Sequence, residues 1–249
     1  MPRAVKSAVR VLEVLEFFDR LQRPATVVEI ARGLGYPISS TSILLGNLLE
    51  LGYMQRAPDL KGYLPTARVT LLGAWMEPLF TPSGKVLRMM AEVGEQTGET
   101  VLLAVPIRDQ AQYLHVVPGS TTRRMHIGSG TLRPLLGSGV GRLLLSAMPE
   151  EKVQNIVLRH NSGPDAVNQR ISLAALQRDF AAIRSRGYHY TLRGATPGAA
   201  SLGVLLPMEF SGLPLAMGLG AWAREMRNRH KEYAGILRSA VERHLKGAA

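Results

Sequence analysis

Residues 26–53, TVVEIARGLGYPISSTSILLGNLLELGY, predict two short helices joined by a tight turn. Thr26 is positioned to cap the first helix, because Glu29 follows three residues later, as a capping box requires. Gly33 and Gly35 are expected to end that helix, since glycine tolerates the left-handed conformation at a helix C-terminus.

The second helix is expected to start at Pro37, whose fixed φ suits a first helical turn. On a helical wheel, at roughly 100° per residue, one face is mostly leucine: Thr41, Leu44, Leu45, Leu48 and Leu51. The opposite face is small and carries hydroxyl groups: Ser39, Ser42, Ile43, Gly46 and Glu50. Such a helix suits a DNA major groove. A small helical hairpin inside a core is the alternative interpretation.

A short hairpin is expected to follow, which would make residues 1–65 a winged helix-turn-helix domain. Residues 53–56 and 63–65 have strand patterns, and the intervening residues 57–62 contain Pro, Asp, Lys and Gly, which favour turns. Arg and Lys side chains in such a wing, and in an N-terminal arm, can contact DNA phosphates. A solvated terminus is the alternative interpretation of the arm. The predicted DNA-contacting residues are Arg3, Lys6, Thr26, Ser39, Ser40, Ser42, Ile43, Arg56 and Lys61.

The rest of the chain divides into a connecting segment and a second domain. Residues 66–83 are predicted to form a linker helix and a hinge, and residues 84–249 an α+β domain around an antiparallel sheet of five or six strands. Within that domain, residues 121–127 are predicted to form a strand. Residues 128–141 are predicted to form a glycine-rich loop that precedes a helix at residues 142–147.

Composition limits the classes of protein to which the chain can belong. The chain has 249 residues, 46% of them hydrophobic, and no apolar run has the roughly 20 residues that a membrane span requires. No cysteine is present, so disulfides and thiolate metal sites are excluded. We therefore expect a cytoplasmic protein without membrane contact.

The formal net charge of +11 favours an anionic partner. Residues 1–68 contain nine Lys/Arg and six Asp/Glu, a net charge of +3, which leaves +8 for residues 69–249. The predicted DNA-binding domain therefore does not carry most of the excess positive charge.

Sequence signals for catalysis are weak, so we predict no enzymatic activity, no metal and no cofactor. None of the six histidines has metal-ligand spacing to an acid, and His115 and His189 lie in strand patterns that favour partly buried side chains. The stretch Gly137–Gly141 lacks the GxGxxG spacing and the Lys-Ser/Thr pair of a phosphate loop. Ser138 and Ser201 have no base nearby in the sequence.

The order of segments resembles the isocitrate lyase regulator (IclR) family of bacterial transcription factors. The matching stretches are EIARGLGYPISSTSILLGNLLELGYMQR, QTGETVLLAV, RPLLGSGVGRLLLSAMPEE, IRSRGYHY and ATPGAAS. The resemblance implies a winged helix-turn-helix, a linker helix and a C-terminal effector-binding domain similar to GAF domains. It also implies homodimers, or dimers of dimers, on palindromic double-stranded DNA operators.

The recognition helix departs from the family pattern. Relatives often carry a bulky basic or aromatic pair on its outer face, where this chain has Ser42 and Ile43. Isoleucine can contact a thymine methyl but cannot pair with guanine as arginine does. We therefore expect an unusual operator preference, or a shift of contacts to Ser39, Ser40 and the wing.

The resemblance also implies a set of effector-binding residues in the second domain: Met125, Gly139, Val140, Thr191, Ser201, Gly218 and Gly220. Relatives often have Asp at the position of Thr191 and Ser at those of Gly218 and Gly220. The pocket is thus expected to be less acidic, roomier and poorer in hydroxyls, which suits an aromatic carboxylate. The candidate counter-charges are Arg123, Arg124, His126, Arg133 and Arg193.

These features together predict a ligand-responsive DNA-binding regulator, more in keeping with a repressor, of a catabolic operon. Its effector is expected to be a small organic acid. Two alternatives remain at this point. One is a small-molecule-binding enzyme with an accessory helical domain, and the other is a sensor that acts only through protein contacts.

Overall fold

The structure is a computed structural model that describes residues 5–57, 62–73, 84–120, 127–163, 170–194 and 196–246. The chain separates into two compact units, Met1–Pro78 and Leu79–Ala249. The predicted residues Arg3, Lys61 and Met125, and the counter-charge candidates Arg123, Arg124 and His126, lie outside the described residues.

The first unit is a three-helix domain with a two-stranded wing. Its described elements are α1 Lys6–Leu21, α2 Val27–Leu34, α3 Ile38–Glu50, β1 Met54–Arg56, β2 Tyr63–Pro65 and α4 Ala67–Leu71. The strands β1 and β2 pair antiparallel, with Met54 opposite Pro65 and Arg56 opposite Tyr63. Backbone hydrogen bonds between Tyr63 and Ala25 join the wing to the segment before α2. The wing is thereby fixed to the helical part.

A single core holds the three helices together. Its buried members come from α1, the segment before α2, α2, α3 and both strands: Val14, Phe18, Ala25, Ile30, Leu45, Leu48, Met54 and Tyr63. The turn between α2 and α3 is closed by Gly35, which has a left-handed φ of +69°. Gly33 lies inside α2 rather than at its end, because Gly35 and not Gly33 has the left-handed φ that ends the helix.

The inner face of α3 differs in part from the leucine face that the wheel predicts. Thr41, Leu45 and Leu48 are buried, whereas Leu51 is 58% exposed. On the wheel, Leu51 lies roughly 90° from the centre of the buried residues, and it is the C-cap residue that follows the last helical residue, Glu50. An apolar stripe therefore predicted the buried side of the helix but not its edges.

The second unit is a six-stranded antiparallel sheet with helices on both faces. Its described elements are α5 Lys85–Thr97, β3 Thr100–Ile107, β4 Gln110–Val117, β5 Leu132–Pro134, α6 Gly139–Leu145, α7 Glu150–Asn161, α8 Leu173–Arg186, β6 His189–Thr191, β7 Ala199–Phe210, β8 Leu213–Trp222, α9 Ala223–Val241 and a π-helical turn Glu242–Lys246. The strand order is β5-β4-β3-β8-β7-β6.

Alternating side chains of the sheet form two cores. Val101, Leu103 and Met217 face one core together with buried residues of α5 and α9. Leu102 and Ala104 face the other, together with buried residues of α6, α7 and α8. Because side chains alternate across a strand, both faces of β3 and β8 are apolar, as expected for central strands.

Three predictions for this unit need correction or lie outside the described residues. The predicted strand at 121–127 falls almost wholly outside them, and the observed strand Leu132–Pro134 lies in the segment predicted as a glycine-rich loop. Helix α6 begins at Gly139 rather than at Arg142, because Ser138 caps it by accepting a hydrogen bond from the Gly141 N–H at 3.1 Å. Of the predicted linker, α4 and its two following residues are described, whereas residues 74–83 are not.

Candidate functional site

The entrance to the helix-turn-helix is fixed by the predicted capping box. The Thr26 hydroxyl accepts a hydrogen bond from the Glu29 N–H at 3.3 Å, and the Thr26 N–H donates to Glu29 Oε2 at 2.9 Å. Arg23 adds an ion pair to Glu29 at 3.1 Å. These bonds lower the pKa of Glu29, the largest effect coming from the Thr26 backbone. The Thr26 side chain, which we predicted to contact DNA, is therefore engaged in orienting α2.

The outer face of α3 presents the side chains that the sequence predicts to meet DNA bases. Ser39 and Ser42 are exposed, and Ile43 is 67% exposed. Ser40 is half-buried, and its hydroxyl donates to the Pro37 carbonyl oxygen at 3.1 Å. Two exposed hydroxyls and one exposed isoleucine thus remain on this face for groove contacts.

The two described cationic candidates, Arg56 and Lys6, lie on different elements of the first unit. Arg56 is exposed on β1, and its guanidinium carbon lies 4.2 Å from the centre of the Tyr63 ring, a cation–π contact that holds the side chain along the wing. Lys6 is exposed at the first residue of α1. Arg56 is accordingly the described wing cation suited to a phosphate contact.

A cavity in the second unit collects most of the predicted effector-binding residues. It lies on the face of the sheet that carries α6, with a volume of about 40 Å³. Gly139, Val140, Ser201, Gly218 and Gly220, all predicted, line it. The other described lining residues include Leu102, Tyr113, Arg133, Ser138 and Thr196.

The predicted glycines do not make this cavity roomy. A Cβ at Gly139 would lie 2.3 Å from Ser201 Oγ and 2.8 Å from Thr191 Cγ2, and a Cβ at Gly218 would lie 3.1 Å from Leu102 Cδ1. Neighbouring side chains thus occupy the space that the glycines leave. The expectation of a roomy pocket is wrong for this conformation, since ligand pockets usually measure roughly 300–1,000 Å³.

A tyrosine–arginine pair supplies the polar end of the cavity. Tyr113 is 6% exposed, and the Arg133 side chain lies close to its hydroxyl. Burial raises the pKa of Tyr113, and the neighbouring Arg133 charge opposes that rise in part. Among the described residues, no carboxylate lies within 4.0 Å of Arg133. Arg133 was one of five candidate counter-charges, whereas Tyr113 was missed because nothing in its strand pattern marks a tyrosine as polar lining.

His189 lies directly behind the cavity wall. Its Nδ1 is 3.5 Å from the position that a Cβ of Gly139 would take, and the residue is 8% exposed. Burial, reinforced by the charge of Arg142, lowers the pKa of His189 to about 4. The imidazole is therefore neutral at physiological pH and serves as packing for the wall.

The described residues hold no arrangement of acidic and histidine side chains suited to a metal. No three His, Asp, Glu or Cys side chains converge there. Ser138, a candidate nucleophile by residue type, is used as the α6 cap and donates to the Pro134 carbonyl oxygen at 2.8 Å.

Comparison with known proteins assigns the chain to a protein family. The family model described as "Bacterial transcriptional regulator IclR C-terminal" matches residues 84–244, and the model described as "IclR helix-turn-helix domain" matches residues 7–58. The chain belongs to the IclR family. It is a transcriptional regulator with a DNA-binding helix-turn-helix domain, and not an enzyme.

Curated members of the IclR family include named repressors. The chain is 27% identical over 190 residues to the acetate operon repressor of Salmonella typhimurium, covering 75% of this chain and 69% of that protein. It is also 27% identical over 196 residues to the transcriptional repressor IclR of Escherichia coli, with the same coverage of both chains.

Solved IclR structures match both the second unit and the full chain. The effector domain of an IclR regulator from Acinetobacter is 27% identical, with a TM-score of 0.61 over 66% of this chain and 95% of that one. The Thermotoga maritima IclR structure is 22% identical, with a TM-score of 0.64 over 95% of this chain and 96% of that one. The second comparison supports the fold alone. Among the described residues, no helix is both long and apolar enough to cross a membrane.

Proposed function

We propose that this chain is a cytoplasmic, ligand-responsive repressor of a catabolic operon, acting as a homodimer or dimer of dimers on a palindromic operator. Its effector is a small organic acid that binds in the cavity of the second unit, with an aromatic acid as the class proposed from the sequence. Binding favours one of two arrangements of the DNA-binding units, and thereby changes their fit to the half-site spacing.

The Arg133–Tyr113 pair is the observation that supports an acid as the effector. A guanidinium without a carboxylate partner among the described residues, next to a largely buried hydroxyl, is suited to charge-assisted hydrogen bonds with a carboxylate. The rest of the lining is aliphatic or small, which suits a short or planar carbon skeleton. An aromatic acid needs the wall to move more than a two- or three-carbon acid does, because the cavity measures about 40 Å³.

The first test is a gel-shift titration on DNA upstream of the gene, with a panel of aromatic and short aliphatic acids. We expect a saturable shift that one acid releases or strengthens. Arg133→Gln should keep the shift and lose the response to the acid, whereas Lys152→Gln, at an exposed position on α7, should keep both. A response only to short hydroxy or keto acids would reject the aromatic class. A shift indifferent to every acid would reject the effector site.

A second test addresses base reading by α3. We propose that Ile43 contacts a thymine methyl group in the major groove. Replacing individual thymines of the operator by uracil removes that methyl, so one position should weaken binding of the wild type but not of Ile43→Ala. Ser39→Ala and Ser42→Ala serve as matched variants that should keep the sensitivity to uracil. Equal sensitivity of the wild type and Ile43→Ala at every thymine would contradict this contact.

A further inference from the structure

The outer face of α9 carries a row of four cations: Arg224, Arg227, Lys231 and Arg238, called here the α9 basic row. All four residues are exposed. At roughly 100° per residue, they fall within a sector of about 60°. With a rise of 1.5 Å per residue, the row extends about 21 Å along the helix axis.

The charges of the α9 basic row are not neutralised by described neighbours. No described carboxylate lies within 4.0 Å of any of the four. The same helix contains a contrasting arginine, Arg229, which pairs with Glu225 at 3.2 Å and Glu232 at 2.7 Å. Glu225 and Glu232, the two acidic residues of α9, thus pair with Arg229 and not with the α9 basic row.

The opposite side of α9 is anchored in the core. Met226, Tyr233 and Leu237 are fully buried there, and Tyr233 donates a hydrogen bond from its hydroxyl to Glu99 at 3.1 Å. A helix fixed in this way holds the row in a constant direction, and the mutual repulsion of four aligned cations disfavours the isolated state. A linear polyanion would relieve that repulsion.

We propose that the α9 basic row binds the phosphate backbone of double-stranded DNA. The inference adds a sequence-independent contact to the base-reading surface of α3, and it does not depend on the effector. A strand of B-DNA carries about one phosphate per 3.4 Å of helix axis, so a row of about 21 Å spans about six phosphates. An acidic protein fits less well, because protein interfaces are centred on buried aromatic or aliphatic anchors. The exposed residues between the cations are instead small or polar, and they include Asn228, Gly235 and Ser239.

The test compares the salt dependence of DNA binding for the full-length wild type and two matched variants. One variant replaces the row: Arg224→Gln, Arg227→Gln, Lys231→Gln and Arg238→Gln. The other removes the same charge from exposed positions of the same unit that have no described carboxylate within 4.0 Å: Lys152→Gln, Arg170→Gln, Arg178→Gln and Arg184→Gln. The duplex is several helical turns longer than the two half-sites. Thermal unfolding confirms that both variants remain folded.

The slope of log K against log salt is negative, and the row variant should make it less steep by about 0.9 for each phosphate that the protein no longer neutralises. The expected decrease in steepness is therefore about two to four units. The control variant should change it by less than about one unit. The preference for operator over scrambled DNA should be the same in all three proteins, because phosphate contacts carry no sequence information. If the effector releases the wild type from DNA, it should also release both variants.

Equal slopes for the two variants would overturn the proposal and would direct attention to an acidic protein partner. A row variant that loses operator preference at an unchanged slope would also overturn it, since the effect would then come from base reading. Neither result bears on the effector site, which is tested separately with Arg133→Gln.

Discussion

At Gly139 the wall of the cavity leaves no room for a side chain. A Cβ there would lie within 2.3 Å of Ser201 Oγ. We therefore expect Gly139→Ala to lower the free energy of unfolding by about 1–3 kcal/mol, the usual cost of overpacking a core. Urea denaturation followed by circular dichroism measures the difference.

The matched control is the same substitution in a Ser201→Ala background, which removes the nearer of the two obstacles. In that background the cost of Gly139→Ala should fall by at least about 0.5 kcal/mol, as is usual for residues in contact. An identical cost in both backgrounds would mean that the serine does not hinder the new methyl group.

His189 should make the second unit sensitive to mild acid. Its pKa is lowered from 6.5 to about 4 by burial, so the unfolded chain binds a proton that the folded chain resists. The contribution of His189 to stability is then complete above about pH 6.5 and falls as pH decreases toward 4. The expected decrease between pH 7 and pH 5 is about 2 kcal/mol. Chemical denaturation at several pH values tests this.

One substitution distinguishes His189 from the other titratable groups. His189→Gln should remove most of the slope between pH 7 and pH 5, because the buried imidazole is then absent. Glu92, whose pKa is lowered first by its hydrogen bond with His244, loses its contribution only below about 4.5. A slope that survives His189→Gln would assign the acid sensitivity to another residue.

Residue-level predictions from sequence agree with the structure in where the side chains lie, whereas the binding roles of these residues stay predictions. The Ser42–Ile43 pair is exposed on α3, and five of the seven predicted effector-binding residues line one cavity. The prediction of free space failed where a residue distant in the sequence fills that space. The filling of the space at Gly218 by Leu102 follows from the pairing of β3 with β8, which no local pattern encodes.

At the scale of elements, the cap of α2 is the clearest test. Thr26→Ala removes a hydroxyl that accepts from the Glu29 N–H and donates to Glu29 Oε2. The substitution should destabilise the first unit by about 1 kcal/mol. Hydrogen exchange of the α2 amides measures this change directly, because it reports local opening rather than unfolding of the whole chain.

Thr26→Ser is the matched variant and should keep near-normal protection, since serine supplies the same hydroxyl. Normal protection in Thr26→Ala would show that the capping box contributes little. DNA affinity provides a second distinction: if Thr26→Ala lowers affinity without changing amide protection, the threonine contacts DNA itself, as the sequence predicted.

Elements with local signals were predictable, and elements defined by distant partners were not. The capping box and the wing strand Tyr63–Pro65 agree with the sequence prediction. Strand β5 has three residues, and it is a strand because it pairs with β4. A segment of three residues has too little periodicity to detect, and the equally short wing strand was predicted with the help of the turn residues beside it.

At the scale of the whole molecule, the proposed function requires reciprocal coupling. If an acid lowers the affinity for the operator by some factor, the operator must lower the affinity for the acid by the same factor. We expect factors of about 5–150, which correspond to about 1–3 kcal/mol. Isothermal titration of the acid into free and operator-bound protein, beside gel shifts with and without acid, measures both.

The same experiments with Lys152→Gln provide the control, because an exposed residue of α7 should alter neither factor. Two unequal factors would mean that a further equilibrium, such as a change of oligomeric state, accompanies binding.

The sequence predicted the class of the molecule correctly because its segment order is specific. The cavity volume could not be predicted in this way, since it depends on side chains brought together from six separate elements.

The central position of β8 has a consequence for the synthesis of this protein. Strand β8 lies between β3 and β7, with Thr100 opposite Gly220 and Ser201 opposite the same residue. Chains emerge from the ribosome N-terminus first, so the DNA-binding unit can fold while both neighbours of β8 still expose unpaired backbone N–H and C=O groups. A chain interrupted before Leu213 would thus carry a complete DNA-binding unit and an unfinished, aggregation-prone second unit.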